Sequence, residues 1–272
     1  MPILHAIVLG ITQGLSEFLP ISSSGHLRIV PWLFGWDDFE GNLGLEKTFD
    51  VALHLGTLVG VVAYFRRDLV RLARAGLSRD ARSTTDGRMA WLLVVSAVPA
   101  AITGALLADP IEEHTGQIWL IALMLMVFGV LLAVADRRVG NRALSDVRLR
   151  DALAMGVGQA VALQPGVSRS GVTITVGRWC DLGRDAAARF AFLMSLPITA
   201  GALVFKGVDA LDEGIPDGFL PAMAWGVVAS GLTGWLAVWG TLRLVRTRTF
   251  TPFVAYRLVL GAVLLVLYFF VR

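Results

Sequence analysis

Two apolar stretches, 146 positions apart, carry the same polar interruption. Residues 10–26 read GITQGLSEFLPISSSGH and residues 156–171 read GVGQAVALQPGVSRSG. Superposing them aligns Gly10 with Gly156, Gln13 with Gln159, Ser22 with Ser168, Ser24 with Ser170 and Gly25 with Gly171. Pro, Gly and hydroxyl residues break a helix, and broken backbone is tolerated in an apolar surrounding only where protein or a wet cavity satisfies its N–H and C=O groups. A matched pair of such breaks, one in each half of a chain, points to a binding site at the interface of an internal repeat.

Composition places that surrounding in a bilayer. Of 272 residues, 56% are hydrophobic and 17% charged, with a mean hydropathy of +0.68, whereas soluble domains run at about 25% charged. The chain reads as an all-α integral membrane protein. Its one cysteine, Cys180, excludes an internal disulfide framework and thiolate zinc clusters and reads as a small packing residue. The start MPILH lacks a basic n-region, so no cleaved signal peptide is expected. A net charge of +3 gives no footprint for nucleic acid. The basic residues serve as topology signals instead.

Six stretches, near 49–65, 89–108, 118–135, 186–206, 219–242 and 252–271, are long and apolar enough to cross a core roughly 30 Å thick. Loop 66–88 holds seven arginines against three acids, loop 136–150 five against two, and loop 243–251 three arginines and no acid. By contrast 109–117 offers Asp109, Glu112 and Glu113, and 207–218 offers Asp209, Asp212, Glu213 and Asp217. The arginine-rich loops are therefore expected in the cytoplasm. Parity then makes 151–185 a re-entrant hairpin that begins and ends inside. Segment 2–35 reads either as a hairpin entering from outside or as a single crossing with a cytoplasmic N-terminus. The hairpin reading gives six transmembrane helices plus two re-entrant helical hairpins, arranged as an interdigitated inverted-topology repeat. Residues 1–272 form one domain on this reading, with halves of approximately 1–135 and 151–272.

The interruptions hold the candidate chemistry. Gln13 and Glu17 share a helix face, and an intramembrane carboxylate is a functional hypothesis by default. Pro20 stops the helix. Ser22, Ser23, Ser24 and Gly25 then offer hydroxyls and free N–H groups suited to an oxyanion at a helix start, and His26 follows. In the second segment Arg169 supplies a planar fork suited to phosphate oxygens, flanked by Ser168, Ser170 and Gly171, with Thr173 one turn on. Pairing with Glu17 alone is the competing account of Arg169. Carboxylate, hydroxyl, imidazole and guanidinium together meet the needs of phosphoryl transfer. Glu17 with Gln13 could also hold one divalent cation through oxygen. Gln159 and Gln164 read as seals for backbone gaps. Asp50 reads as a helix cap, and His54, one turn deeper, as a residue that could line the pocket. His5 and His114 read as interfacial or loop residues.

These motifs also resemble a known family. Gln13-x-x-x-Glu17 followed by FLPISSSGHL (18–27), FDVALHLGT (49–57) and PGVSRSG (165–171) are similar to successive signatures of the bacterial undecaprenyl-diphosphate phosphatases, also called bacitracin-resistance proteins. The resemblance covers essentially the whole chain. It implies hydrolysis of undecaprenyl diphosphate to undecaprenyl phosphate and inorganic phosphate, which recycles the lipid carrier for peptidoglycan and confers bacitracin resistance. It implies dependence on a divalent cation, Mg²⁺ or Ca²⁺, and a multi-pass protein of the bacterial plasma membrane whose site opens to the periplasmic face. It also implies a core of Glu17, Ser23, His26 and Arg169. The family's first motif position holds Glu or Gln. Gln13 is neutral, which weakens any argument that it supplies charge to a metal.

Three mechanisms stay open on sequence. Ser23 attacks phosphorus with Glu17 or His26 taking its proton; or His26 is the nucleophile; or water attacks directly. A prenyl-phosphate flippase using the same phosphate site is the alternative function, and a scaffold held by a Glu17–Arg169 pair is a third. Small residues in 219–242 (Gly226, Ala229, Ser230, Gly231, Gly234) suit close helix packing, inside one protomer or between two copies of a homodimer.

Overall fold

The computed structural model describes the backbone of residues 1–213, 216 and 218–271; the side chains of 108–110, 112–115, 206 and 208–213 lie outside that description. The acidic groups expected at one face (Asp109, Glu112, Glu113, Asp209, Asp212, Glu213, Asp217) and His114 therefore lie outside the described residues.

The described chain is helical, with no strand beyond one isolated bridge between Arg142 and Leu182. In order the helices are α1 (Ile3–Phe18), α2 (Ser23–Phe34), α3 (Leu43–Gly76), α4 (Thr85–Thr115), α5 (Ile118–Asp136), α6 (Leu149–Val161), α7 (Arg169–Trp179), α8 (Arg184–Glu213), α9 (Leu220–Val245) and α10 (Thr251–Phe270). Six of them, α3, α4, α5, α8, α9 and α10, are long and apolar enough to cross a membrane. The sequence of two short helices followed by three long ones runs through α1–α5 and again through α6–α10.

Helix ends depart from the hydropathy boundaries in one instructive place. Residues 66–88 were expected as loop, yet α3 continues through Arg66 to Gly76. Hydropathy marks where the bilayer ends. Arg, Leu and Ala are good helix formers on either side of that boundary, so the helix runs on into water. At its other end Asn42 caps α3 by accepting from the N–H of Leu45 at 3.0 Å.

Close packing is built on small residues, and it is internal. α1 and α3 both lie against α9, and α6 lies against α4. A Cβ on Gly14 would meet Ser230 O at 2.5 Å and Gly234 N at 2.8 Å, and one on Gly56 would meet Val227 O at 2.3 Å. Ser230 Oγ donates to Leu53 O at 2.9 Å across the same seam. The small residues of α9 are thus used within one protomer. The main apolar core lies beside this seam, around Phe18, Phe65, Phe190, Phe192 and Phe250.

The start of α6 is fixed from the linker. Asp151 is 2% exposed and accepts from Arg142 Nη2 at 2.6 Å and from Arg148 N at 2.9 Å. Burial pushes its carboxyl up, but these hydrogen bonds and the Arg142 and Arg150 charges outweigh it and hold the group below the ordinary range.

Candidate active site

α1 ends where Pro20 forces its neighbour out of helical space: Leu19 is extended (φ −68°, ψ 140°). The next helix is capped by Ser22 at φ 80°. The second interruption repeats this, with Ser168 at φ 74° capping α7. Positive φ on a non-glycine residue is strained and is kept only where the surroundings impose it. Here both hydroxyls accept from the N–H three residues on, Gly25 N at 3.4 Å and Gly171 N at 3.1 Å. Gly166 also needs to be glycine, because its φ is +93° and a Cβ would meet Ile121 O at 2.6 Å.

The two turns bind each other. Ser22 Oγ accepts from Gly166 N at 3.1 Å, and Ser170 Oγ donates to Leu19 O at 3.0 Å. Arg257, fully buried in α10, clamps both: it donates to Pro20 O (3.1 Å), Gly166 O (3.0 Å) and Val167 O (3.0 Å), and to Leu125 O (2.9 Å) of α5.

This arrangement brings Glu17, Ser23 and Arg169 together. Buried Glu17 accepts from Ser23 Oγ at 2.5 Å on Oε2, pairs with Arg169 Nη2 through Oε1, and receives a longer bond from Gln13 Nε2 at 3.3 Å. Arg169 Nη1 donates to Thr199 Oγ1 of α8 at 2.8 Å. His54 Nε2 lies 3.8 Å from Glu17 Oε2, and its Nδ1–H donates to Asp50 O at 2.8 Å. Ser24 is exposed at the mouth of the turn.

Other expected site residues point elsewhere. His26 donates from Nδ1 to Ser22 O at 2.6 Å, which leaves Nε2 to accept from the Tyr256 hydroxyl at 2.7 Å. No hydrogen bond links His26 to Ser23 among the described residues. Thr173 is fully buried and donates back to Arg169 O at 2.7 Å. Gln164 Nε2 donates to Pro165 O at 3.1 Å, whereas both amide atoms of buried Gln159 lack a hydrogen-bond partner among the described residues.

Thr199, Tyr256 and Arg257 escaped the sequence reading. Arg257 had a visible signal, an ionisable residue inside an apolar span; Thr199 and Tyr256 had none.

A divalent cation can be tested against this donor set. Gln13 Oε1 is a buried oxygen without a hydrogen-bond partner among the described residues, beside the Glu17 carboxylate. Hard cations take oxygen ligands, and an amide oxygen and a carboxylate are donors of that type. No group of three His, Cys, Asp or Glu suited to a metal is found among the described residues, which excludes there a closed, all-protein cage of those residue types.

Six membrane-length helices and a hydroxyl–carboxylate–guanidinium cluster centred on buried Glu17 define the class: a multi-pass helical membrane protein. Residues 6–263 match the family described as bacitracin resistance protein BacA. Similar relatives, each named undecaprenyl-diphosphatase, come from Pelobacter propionicus (48% identical, covering 96% of this chain and 95% of the relative), Geobacter sulfurreducens (48%, covering 100% of both) and Nocardioides sp. (44%, covering 97% and 96%). The chain belongs to the bacitracin resistance protein BacA family.

Proposed function

We propose that the chain hydrolyses undecaprenyl diphosphate to undecaprenyl phosphate and inorganic phosphate, so recycling the lipid carrier of cell-wall synthesis. The observation that carries the mechanism is the short Ser23 Oγ–H···Oε2 Glu17 hydrogen bond beside Arg169. A nucleophile aligned on a base is the arrangement covalent catalysis needs. Ser23 Oγ attacks the terminal phosphorus as its proton passes to Glu17. The bond from that phosphorus to the bridging oxygen breaks, and undecaprenyl phosphate leaves. Glu17 hands that proton to the bridging oxygen of the departing undecaprenyl phosphate, then takes one from the water that attacks phosphorus and returns it to Ser23 Oγ as the bond from Oγ to phosphorus breaks.

Arg169 neutralises the equatorial oxygens. Thr199 holds one arm of its guanidinium, leaving the other to exchange Glu17 for phosphate. Ser22 and Ser168 shape the paired turns, Gly25, Ser170 and Gly171 are used in capping and joining them, and exposed Ser24 is left to meet the phosphate. Thr173 supports Arg169 from below. His26 belongs to the same core but contributes only after Tyr256 releases its Nε2, which favours Ser23 as nucleophile. Mg²⁺ or Ca²⁺ would be held by Glu17 and Gln13, and when bound would offset the charge of the diphosphate.

The architecture proposed to carry this is a single domain of two interdigitated halves, 1–135 and 151–272. Each half has one re-entrant hairpin (α1–α2 or α6–α7) and three spans of opposite orientation. The pairing of α1 with α9 and of α6 with α4, and the equal strain at Ser22 and Ser168, support that repeat. Arginine-rich loops in the cytoplasm orient the spans in the plasma membrane, and the family resemblance supports an entrance on the periplasmic side.

The test is phosphate release from a prenyl diphosphate by purified protein in detergent, with and without Mg²⁺ or Ca²⁺. Ser23→Ala is expected to lower turnover by at least about 10³-fold, and Glu17→Ala to abolish it. Ser23→Ala protein that keeps a tenth of the activity would overturn the serine mechanism in favour of direct attack by water.

A further inference from the structure

Beyond the apolar run of α3 lies a cluster that the reaction does not use. The span ends at Phe65, and Arg66 begins the last eleven residues of the helix, a largely exposed, charged stretch that ends at Gly76. Arg67, Val70, Arg71 and Arg74 recur at spacings of three and four, so they share one helix face. That face looks toward the start of α4, and a wide, shallow cleft of about 770 Å³ runs along it, lined by Arg66, Arg67, Val70, Arg71 and Arg74 of α3 with Asp86 of α4 at its edge.

Acidic neighbours neutralise only part of this cleft. Arg71 is committed to Asp68 at 3.0 Å and to Asp86 at 3.3 Å. Arg67 and Arg74 are exposed and have no carboxylate partner among the described residues. They stand about 10 Å apart along the axis, so two guanidiniums can converge on one anionic group from either side. Residues 66–88 hold seven arginines against three aspartates, so the surrounding field is positive as well.

The cleft lies at the membrane boundary. Val70 in its lining is 51% exposed, and nearby Leu77 is 87% exposed. Trp91 of α4 is 53% exposed while its indole N–H donates to Gly76 O at 3.2 Å. Gly76 lies eleven residues, about 16 Å of helix, past Phe65, so Trp91 marks the outer, water-side level of this region. Guanidiniums below that level and apolar side chains beside it match a ligand with an anionic head and hydrocarbon chains. A soluble anion would use the first feature and leave the second idle. Loops that merely set topology need positive charge but no ordered face; here the extra turns of α3 line the arginines up on one helix face, with Arg71 tied to Asp86 of α4.

We infer that the α3–α4 cleft binds the headgroup of an anionic glycerophospholipid, with Arg67 and Arg74 on its phosphate. Arg71, fixed by Asp68 and Asp86, forms the wall between them. The site lies apart from Glu17, Ser23 and Arg169, and the inference does not depend on the proposed reaction.

The experiment is native mass spectrometry of the delipidated full-length protein in detergent, offered equal amounts of phosphatidylglycerol and phosphatidylcholine. Wild type should retain phosphatidylglycerol preferentially. Arg67→Gln/Arg74→Gln should lower that preference by about 10- to 30-fold, each arginine near a membrane surface being worth roughly fivefold. Arg67→Lys/Arg74→Lys keeps both charges and should retain most of it. Arg243→Gln/Arg248→Gln removes two charges near the C-terminal end of α9 and should leave it unchanged. Equal retention of the two lipids by wild type would overturn the inference, as would an equal loss in the α9 control or a full loss in the lysine variant. Displacement of the lipid by equimolar glycerol phosphate would assign the cleft to a soluble anion, and capture of phosphatidylglycerol that survives in the glutamine variant would remove Arg67 and Arg74 from it.

Discussion

Arg257 shows how a single side chain can hold two distant turns. Its five hydrogen bonds all go to backbone carbonyls, from Pro20, Met124, Leu125, Gly166 and Val167. Those carbonyls belong to the segments where helical bonding is broken or to the α5 wall behind them. Replacing Arg257 with Met would keep most of the volume and leave several buried acceptors unpaired, at about 1–3 kcal/mol for each. Arg257→Met should therefore lose more than about 3 kcal/mol of stability, read as a lower midpoint in thermal unfolding in detergent. An unchanged midpoint would show that water takes over the arginine's role. Glu17 and Arg169 were visible in the sequence because charge inside an apolar run is rare. Arg257 carried that same signal, but its motif-poor neighbourhood hid what it was for.

At the level of the helix, the decisive contacts are between backbones. Gly14 of α1 leaves no room for a methyl group: an added Cβ would meet Ser230 O, Gly234 N and the Thr233 hydroxyl, all within 2.8 Å. Two of these are main-chain atoms of α9, so relief requires the helices to separate. Gly14→Ala should cost about 1–3 kcal/mol and lower activity, because α1 positions Glu17. Gly104 in α4 has nothing within 4 Å of a built Cβ, so Gly104→Ala should be neutral or add up to about 1 kcal/mol through helix propensity. Unfolding midpoints that move in the same direction for both variants would refute the distinction. Small residues in 219–242 pointed to tight packing, but which helix they pack against depends on tertiary placement that composition does not encode.

At the scale of the whole molecule, the candidate site is assembled from both ends of the chain. Ser22 with Gly166, Glu17 with Arg169 and Arg257 with Pro20 all join residues on opposite sides of the 137–148 linker. Neither end can complete the site without the other. Separate expression of 1–140 and 141–272 should yield no active protein from either piece, while co-expression in one membrane should recover phosphate release. Activity from one piece alone would contradict the proposed interdigitated arrangement. Anionic lipid in the α3–α4 cleft would act at this scale too, by fixing the hairpin relative to the bilayer surface.

Local physics decided much of this in advance. Runs of apolar residues set where six helices cross, Pro20 and Pro165–Gly166 set where two others break, and the serines beside them set how the new helices are capped. Each of these depends on neighbours within a few residues, so the sequence alone determines them. Whether Ser23 turns to Glu17 or to His26 was undecided at that level, since both lie within six residues of it. Tyr256 and Ser22 O decide it by occupying both nitrogens of His26, and Tyr256 lies 230 positions away. The relative rotation of packed helices chooses such partners, and only the tertiary structure contains that rotation.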